Sequence, residues 1–268
     1  MRSTCRPTPF LHLISFIPIN TMNHSTSSPQ PISLDLSIVI PIFNERENLV
    51  YLEDKLNQHL PQLNLSYEII FVDDGSLDGS GTLVKTLKEH NPCLRLIRFR
   101  KNSGQSAAFA AGFKSARGKV IVTMDADLQN DPADIPLLME KIKDYDVVCG
   151  WRYERNDPWI KKVSSKIANC VRNKLSDETI ADTGCSLKAF RRECFAKIFY
   201  FNGMHRFFPT LMKMEGFSVT QVKVSHHPRL HGQSKYNIRN RLVSSFEDLM
   251  AVRWLKKRKL HSDIIEED

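Results

Sequence analysis

The chain of 268 residues lacks several features that would place it in a specialised class of protein. Its six cysteines include no Cys-x-x-Cys pair, which argues against a zinc ribbon and against a disulfide-stapled scaffold. No uninterrupted apolar run approaches the ~18 residues of a membrane-spanning helix. The mean hydropathy of -0.32 argues against a polytopic membrane protein. No internal repeat is found. These absences favour a soluble, folded protein in a reducing, cytosolic setting.

The composition is that of an ordinary globular protein, with 41% hydrophobic and 25% charged residues. The length exceeds one average domain and is too short for two large ones. We therefore expect a single α/β domain with appendages.

The first 33 residues differ from the rest of the chain. A short apolar run at 10–19 is interrupted by His12, Ser15 and Pro18, and it is too short to span a bilayer. No convincing cleavage site for a signal peptide follows, and the next stretch is rich in Ser, Thr and Pro. We interpret residues 1–33 as a disordered leader.

From residue 36 onward, short β-branched apolar runs alternate with amphipathic segments, which is typical of successive strand–helix units. Strands are predicted at 36–41, 67–72, 94–99, 119–124, 146–149, 187–190 and 219–224. Helices are predicted at 45–60, 78–90, 104–116, 132–143, 159–175 and 241–260. This order predicts a Rossmann-like, mostly parallel sheet flanked by helices. The domain is expected to span 34–240, followed by a basic amphipathic helix and an acidic tail at 241–268.

The fourth predicted strand leads directly into an acidic motif, Asp125-Ala126-Asp127-Leu128-Gln129. Residues i and i+2 that leave a strand point to the same side. Asp125, Asp127 and Gln129 can therefore offer oxygens to one hard cation such as Mg²⁺ or Mn²⁺. A second Asp-x-Asp at 144–146 precedes its strand, and we interpret it as a polar entry to that strand.

Acidic residues also follow the first two predicted strands. The second strand ends in Val72-Asp73-Asp74-Gly75, and Asp78 follows as a candidate helix cap. The first strand end supplies Pro41, Phe43 and Glu45. Ligands of open parallel sheets bind outside the carboxyl ends of the strands, so these side chains would lie beside a nucleotide. A capped turn with exposed acids is the alternative.

Taken together, these segments resemble the family 2 glycosyltransferases with the GT-A fold. The resembling segments are IPIFNERENL at 40–49, FVDDGSLDGS at 71–80, KNSGQSAAFAAGF at 101–113 and VTMDADLQNDP at 122–132. Three further segments are similar to the polyprenyl-phosphate glycosyltransferases of that family, which include dolichyl-phosphate mannose synthase: GWRY at 150–153, DTGCSLKAFRR at 182–192 and RLHGQSKY at 229–236. The resemblance implies an inverting, metal-dependent transfer of a single sugar from a GDP- or UDP-linked nucleotide sugar to an undecaprenyl- or dolichyl-type phosphate.

The resemblance also implies roles for individual residues. Nucleotide contacts are implied for Pro41, Phe43, Glu45, Val72, Asp73, Asp74, Asp125, Ala126 and Asp127. Ligands for Mg²⁺ or Mn²⁺ are implied at Asp125, Asp127 and Gln129. Phosphate contacts are implied for Arg152, Lys161, Ser165, Arg206, Arg229, Ser234 and Lys235. The candidate catalytic residues are Asp127, Arg152 and Asp182. For Asp182, a structural ion pair with Arg191 or Arg192 is the alternative.

Positive charge is concentrated near the C-terminus. Between Arg229 and Leu260, nine Lys or Arg residues stand against two acids, a balance of 9 − 2 = +7. One face of the predicted helix collects Leu242, Phe246, Leu249, Met250 and Trp254. Such a helix suits an anionic leaflet, and an ordinary packing helix is the alternative. We expect a peripheral position on the cytoplasmic face of a membrane, or attachment through a membrane-anchoring partner protein. Nucleic acid is not an expected partner.

Four other functions are alternatives to this one. Transfer to a saccharide or another hydroxyl acceptor would require a true general base and would make Asp182 indispensable. A non-catalytic module that binds a membrane surface would not need Asp125, Asp127 and Gln129. A nucleotidyltransferase is expected to carry a glycine-rich basic loop after the first strand, which the segment IPIFNERE at 40–47 lacks. The absence of a Gln-x-x-Arg-Trp motif disfavours a processive polymer synthase.

Overall fold

The computed structural model describes residues 34–153, 180–229 and 238–259. The predicted leader at 1–33 and the predicted helix at 159–175 lie outside these ranges. So do four of the predicted phosphate-binding residues, Lys161, Ser165, Ser234 and Lys235. The proposed domain boundaries stay predictions.

One sheet organises the described part of the chain. Its strands are β1 Leu34–Ile42, β2 Tyr67–Asp73, β3 Leu94–Arg98, β4 Gly118–Thr123, β5 Val147–Arg152, β6 Lys188–Arg191 and β7 Val219–Val224. Their order is β3-β2-β1-β4-β6-β5-β7. Only β6 runs antiparallel to its neighbours β4 and β5. The other six strands therefore end at one side of the sheet, which we call the carboxyl edge; the opposite side is the amino edge.

The central strand β1 explains why the sheet forms. It pairs in parallel with β2 on one side and with β4 on the other, so that Ile38 lies between Ile69 and Val122. Residues 36–40 are fully buried. Four of these five side chains are apolar, as a parallel strand covered on both faces requires, and the fifth, Ser37, donates a hydrogen bond to Glu68.

The helices alternate with the strands, as predicted. They are α1 Arg46–His59, α2 Ser80–His90, α3 Gln105–Ser115, α4 Ile135–Lys141, α5 Phe208–Met214 and α6 Ile238–Arg258. Short 3-10 segments occur at Leu60–Leu63, Pro132–Asp134, Arg192–Ala196 and Met204–Arg206. The helix predicted from 132 starts as a 3-10 turn, in which the Asp131 side chain accepts a hydrogen bond from the backbone of Ala133. Helix α5 is not among the predicted elements, since its seven residues are too few to show a clear period.

The core consists of two layers, one on each face of the sheet. Helices α1, α2 and α4 cover one face with apolar side chains such as Leu52, Val84 and Leu138. Helices α3, α5 and α6 cover the other with an aromatic-rich layer. In that layer the rings of Phe113 and Phe195 stack with centroids 3.7 Å apart. The predicted fold class, a mostly parallel sheet flanked by helices, is confirmed.

Helix α6 belongs to this second layer. Leu249 and Val252 are buried in it, 6% and 0% exposed, whereas Phe246 and Trp254 are largely exposed. The prediction that Leu249 shares a membrane-facing surface with Phe246 and Trp254 is therefore wrong, because Leu249 packs against the sheet. Among the described residues, the structure contains no helix that is both long and apolar enough to cross a membrane.

Candidate functional site

The loops that follow β1 and β2 are tied together at the carboxyl edge. The Asn44 backbone N–H donates to Ser76 Oγ at 2.9 Å, and the Leu77 N–H donates to Asn44 Oδ1 at 2.8 Å. The Arg46 N–H donates to Asp78 Oδ2 at 3.1 Å. These cross-links fix two of the three strand ends that the sequence singled out.

Asp73 lies beneath this pair of loops. Its side chain is fully buried, Oδ1 accepts a hydrogen bond from the Ser76 N–H at 2.8 Å, and Oδ2 forms an ion pair with Arg98 Nε at 3.0 Å. A side chain at Gly81 would collide with Oδ2, so α2 can approach the carboxylate only with glycine at this position. Asp73 thus holds the loop that would face a nucleotide.

Asp74 holds the next loop along the sheet. Its two oxygens accept hydrogen bonds from the Ser103 and Gly104 N–H groups at 2.6 and 2.8 Å. Burial raises the pKa of Asp74, and these two hydrogen bonds oppose the rise. Gly75 adopts a φ of 74°, and a methyl group there would lie 2.6 Å from the Lys101 carbonyl carbon. The loops after β2 and β3 therefore meet closely.

A groove opens between these two loops. It is lined by Gly75, Ser76, Leu77, Arg98, Phe99 and Arg100. The remaining predicted nucleotide contacts of this region have different exposures: Pro41, Phe43 and Glu45 are partly exposed, while Val72 is fully buried in the core.

The acidic motif after β4 forms the centre of the site. Gln105 Nε2 donates to Asp125 Oδ1 at 2.8 Å, and Arg229 Nη2 donates to Asp127 Oδ2 at 2.7 Å. Burial, reinforced by the charge of Asp127, raises the pKa of Asp125 to about 6. The structure therefore brings Asp125, Asp127 and Arg229, three of the predicted site residues, close together.

The backbone of the motif turns sharply. The Gln129 N–H donates to Asp127 Oδ1 at 3.2 Å, and Leu128 between them has a φ of 62°. A buried leucine in the left-handed region is strained, and strain of this kind concentrates at functional sites. Ala126 and Leu128 pack into the core, 3% and 2% exposed, and Asp127 between them is also buried, 6% exposed.

The acidic centre fits a divalent cation. Two carboxylates that repel each other enough to raise a pKa are stabilised by a cation, and oxygen ligands suit Mg²⁺ and Mn²⁺. Within the described ranges, no three His, Cys, Asp or Glu side chains are grouped as metal ligands. Asp125 and Asp127 would therefore share a cation with Gln129, water or a bound diphosphate, which is how Mg²⁺ is commonly held.

Arg152 and Asp182 form a two-pronged ion pair next to this centre. Arg152 Nε and Nη2 donate to the two Asp182 oxygens at 2.6 and 2.8 Å. Burial alone would raise the pKa of Asp182, but the hydrogen bonds and charge of Arg152 lower it overall. Asp182 therefore pairs with Arg152, and not with Arg191 or Arg192. Arg191 instead forms an ion pair with Asp146 at 3.5 Å.

Lys188 is a member of the site that the sequence analysis missed. It lies on β6, is only 3% exposed, and donates a hydrogen bond to the Cys185 carbonyl. Its charge interacts with Asp125 and Asp182. A lysine within the apolar run 187–190 was the available signal, since a buried lysine needs nearby carboxylates.

Arg206, a predicted phosphate contact, is tied to α6. Its Nη1 lies 3.3 Å from Asp248 Oδ2. The preceding residue, His205, places Nδ1 2.8 Å from Ser106 Oγ at the start of α3. Arg206 therefore borders the carboxyl edge, whereas Arg152 and Arg229 contact its acidic residues directly.

Comparison with known proteins shows which family this chain belongs to and which relatives it is similar to. The model of glycosyl transferase family 2 matches residues 37–199. The chain is 36% identical over 235 residues to a dodecaprenyl-phosphate galacturonate synthase of Rhizobium johnstonii, covering 85% of this chain and 69% of the relative. It is also 36% identical over 217 residues to an undecaprenyl-phosphate 4-deoxy-4-formamido-L-arabinose transferase of Aeromonas hydrophila, covering 80% and 66%. The chain thus spans about two thirds of the length of these relatives.

Solved structures support the same fold. A glucosyl-3-phosphoglycerate synthase of Mycobacterium tuberculosis, solved with Mn²⁺, uridine diphosphate and phosphoglyceric acid, superposes with a TM-score of 0.63 at 16% identity and covers 85% of this chain and 80% of its own. A mannosyltransferase of Pyrobaculum calidifontis, solved with GDP-mannose and Mn²⁺, gives a TM-score of 0.62 at 19% identity and covers 84% and 65%. The fold is therefore of the GT-A type.

Proposed function

Because the chain belongs to glycosyl transferase family 2 and is a glycosyltransferase, we propose that it moves one sugar from a nucleotide sugar to a polyprenyl phosphate. The donor is a GDP- or UDP-linked sugar, and the reaction inverts the anomeric carbon by direct displacement. The names of the two relatives, both of which use a polyprenyl phosphate, support this acceptor.

The ion pair and the lowered pKa of Asp182 are the main support for a phosphate acceptor. Both of its oxygens are bound by Arg152, and its pKa is lowered, so it is a poor proton acceptor near neutral pH. A hydroxyl acceptor would need a base, whereas a phosphate acceptor already carries its nucleophilic oxygen as an anion. The arrangement therefore favours the phosphate acceptor over a saccharide acceptor.

In this proposal one group of site residues binds the donor and another binds the acceptor. Asp125 and Asp127, with Gln129, would hold Mg²⁺ or Mn²⁺, which when bound supplies positive charge to the donor diphosphate and its leaving group. The Arg229 guanidinium donates to Asp127 and could instead donate to a phosphate oxygen. Asp182 fixes the Arg152 guanidinium, which offers donors to the acceptor phosphate.

The loops after β1 and β2 would hold the nucleoside. Phe43 and Glu45 are partly exposed beside the groove that Arg98 and Arg100 line. Pro41 and Val72 support these loops, and Asp73 and Asp74 fix their shape from beneath. In this proposal Asp73 and Asp74 contribute to nucleoside binding indirectly, because they fix the loops that would contact the nucleoside.

We further propose that the enzyme works peripherally on the cytoplasmic face of a membrane, alone or with a membrane-anchoring partner protein. Its acceptor is a membrane lipid, and three described cysteines, Cys93, Cys185 and Cys194, are free thiols, as expected in a reducing compartment.

A product assay tests the proposal. Purified protein is incubated with Mn²⁺ or Mg²⁺, a panel of GDP- and UDP-sugars and a short-chain polyprenyl phosphate. We expect sugar to appear on the lipid, to be lost in Asp127→Ala, and to persist in Asp144→Asn. Asp144 is a matched control because it belongs to the second Asp-x-Asp, where it is exposed.

Two results would contradict the proposal. Sugar transfer to a saccharide but not to the lipid would favour the hydroxyl acceptor, and Asp182→Asn should then abolish transfer. Absence of turnover with every donor, with the protein folded and binding membranes, would favour a non-catalytic membrane-surface module.

A further inference from the structure

The side chain of Gln105 reaches from the start of α3 to the acidic motif after β4. Gln105 is the first residue of α3, and its Nε2 donates to Asp125 Oδ1 at 2.8 Å. The proposed transfer reaction assigns this glutamine no role. A donor on one carboxylate oxygen fixes the direction in which the other oxygen points. Gln105 therefore sets the orientation of Asp125.

The backbone before Gln105 is held by a buried carboxylate. Asp74 is 4% exposed, and its two oxygens accept hydrogen bonds from the Ser103 and Gly104 N–H groups at 2.6 and 2.8 Å. Gly104 has a φ of 92°, a conformation that glycine adopts without steric strain. The chain therefore enters α3 in a fixed direction.

The residue after Gln105 is held from another side. Ser106 is 3% exposed, its Oγ accepts a hydrogen bond from the Gly203 N–H at 3.0 Å, and the same oxygen lies 2.8 Å from His205 Nδ1. A side chain at Gly203 would collide with Asp248 of α6, so this segment lies close against that helix. Buried contacts thus fix the backbone on both sides of Gln105.

Asp125 needs such support because Asp127 repels it. Burial and the charge of Asp127 raise the pKa of Asp125 to about 6. Two carboxylates that repel each other turn apart unless other groups hold them in place. Because its backbone is already fixed, Gln105 loses only side-chain freedom when it holds Asp125, which lowers the entropic cost of the contact.

We propose that Gln105 is a positioning residue for Asp125. The glutamine holds the carboxylate in one orientation, so that Asp125 and Asp127 present oxygens to the same Mg²⁺ or Mn²⁺ ion. Groups that hydrogen-bond to metal ligands commonly change metal affinity by about 10- to 100-fold. This inference rests on the cation site of the proposed function, and it adds a residue of α3 to that site.

Mn²⁺ binding to the full chain, without donor and without acceptor, tests the inference. Gln105→Leu keeps most of the bulk of the side chain and removes its amide, so we expect the Kd for Mn²⁺ to rise about tenfold. Ser106→Ala removes one of the backbone anchors and should raise this Kd about threefold. Electron paramagnetic resonance of free Mn²⁺ measures both.

Turnover supplies a second readout. Because Gln105 acts through Asp125, excess Mn²⁺ should compensate for the loss of the amide. In Gln105→Leu, we expect half-maximal turnover to need about tenfold more Mn²⁺, whereas kcat at saturating Mn²⁺ stays within about twofold of the unaltered value. A residue that contacts the donor directly would instead impair turnover at every Mn²⁺ concentration.

Gln62→Leu is the matched control. Gln62 lies beyond the end of α1, where its Nε2 donates to the Gln58 carbonyl at 2.8 Å on an exposed surface. This variant removes an equivalent amide away from the acidic motif and should bind Mn²⁺ like the unaltered protein. Thermal unfolding of every variant checks that it is folded.

Three results would overturn the inference. The first is Mn²⁺ binding that Asp127→Asn weakens and Gln105→Leu leaves unchanged. The second is a loss of kcat in Gln105→Leu that saturating Mn²⁺ does not restore, which would make Gln105 a donor contact. The third is absence of Mn²⁺ binding by the unaltered protein, which would remove the cation site itself. None of these results decides the acceptor, which the product assay with polyprenyl phosphate tests separately.

Discussion

Carboxylates are buried at both the amino and the carboxyl edge of the sheet, but the groups around them differ. At the amino edge, Glu68 is 2% exposed and accepts hydrogen bonds from Ser37 Oγ and the Arg117 N–H, both at 2.7 Å. Arg95 Nη1 lies 2.6 Å from its other oxygen. At the carboxyl edge, Asp125 and Asp127 lie next to each other, and Arg229 donates to Asp127 Oδ2 at 2.7 Å.

The pKa values reflect this difference. Burial alone would raise the pKa of Glu68, but Arg95, Ser37 and Arg117 lower it overall. Burial and Asp127 raise the pKa of Asp125. A carboxylate that the protein itself compensates stabilises the fold, whereas a pair left with residual repulsion is available to a ligand cation. Four variants and one control test this difference between the two edges.

The largest expected effect is on activity. Asp127→Asn keeps the shape of the side chain and removes the charge that would hold the cation, so we expect kcat to fall on the order of 100- to 1000-fold. Thermal unfolding should change little. The measurement is sugar transfer at saturating donor. A variant with near-normal turnover would show that Asp127 is not needed for the metal.

The next effect is on stability at the amino edge. Glu68→Gln leaves Arg95 and Arg117 beside a neutral amide, so we expect the free energy of unfolding to fall by about 2 kcal/mol. Urea unfolding measures it, with turnover of the folded fraction retained. If Glu68→Gln instead lost activity without losing stability, the division between the two edges would be wrong.

A smaller effect concerns Arg229. Its guanidinium lies 2.7 Å from Asp127 Oδ2 and would compete with a cation for that oxygen, so Arg229→Met should bind Mn²⁺ about threefold more tightly in the absence of nucleotide. With GDP or UDP present the order should reverse, because the variant lacks a phosphate contact. Electron paramagnetic resonance of free Mn²⁺ measures both.

Arg206→Met is the control for this measurement, since Arg206 pairs with Asp248 of α6. It should leave Mn²⁺ binding without nucleotide unchanged. Equal Mn²⁺ affinities for the unaltered protein and Arg229→Met would contradict competition at Asp127.

The smallest effect is a difference in pH dependence. The folded state lowers the pKa of Glu68, so its stabilisation is present above the unfolded value of about 4.3 and is lost as the pH falls through the folded value. The folded state raises the pKa of Asp125, so its ionised form costs stability above about pH 6. That cost disappears as the pH falls toward the unfolded value.

Urea unfolding in the presence of a chelator measures this difference. Asp125→Asn should be about 1 kcal/mol more stable than the unaltered protein near pH 8, with the gain shrinking toward about pH 5. The loss in Glu68→Gln should stay constant over that range. A gain in Asp125→Asn that grows in acid would contradict the raised pKa.

Much of the fold was predictable because its signals are local. Apolar runs such as 36–41 and 67–72 mark buried parallel strands, and the structure extends them by only a few residues. Helix α5 was not predictable, since seven residues give too short a pattern. The acidic motif after β4 was recognisable because its spacing and its place after a strand are both properties of the sequence.

The partners of the site residues were harder to predict. Sequence reasoning offered Arg191 or Arg192 for Asp182, yet Arg152 pairs with it across 30 positions of the chain. The buried Lys188 gained no role because one of its carboxylate neighbours, Asp125, comes from a distant segment. Pairings of this kind depend on how strands are ordered in the sheet, which local patterns do not encode.

The alternation of strands and helices, the carboxylates at the strand ends and the basic C-terminal segment can be read from the amino-acid sequence, because each depends on residue type and short-range spacing. In contrast, Asp73 and Asp74 support loops from beneath, Arg152 binds Asp182, and α6 buries Leu249 while exposing Trp254 only because of how the chain folds. Burial, ion pairing and pKa depend on which distant segments come together, and the folded sheet sets that.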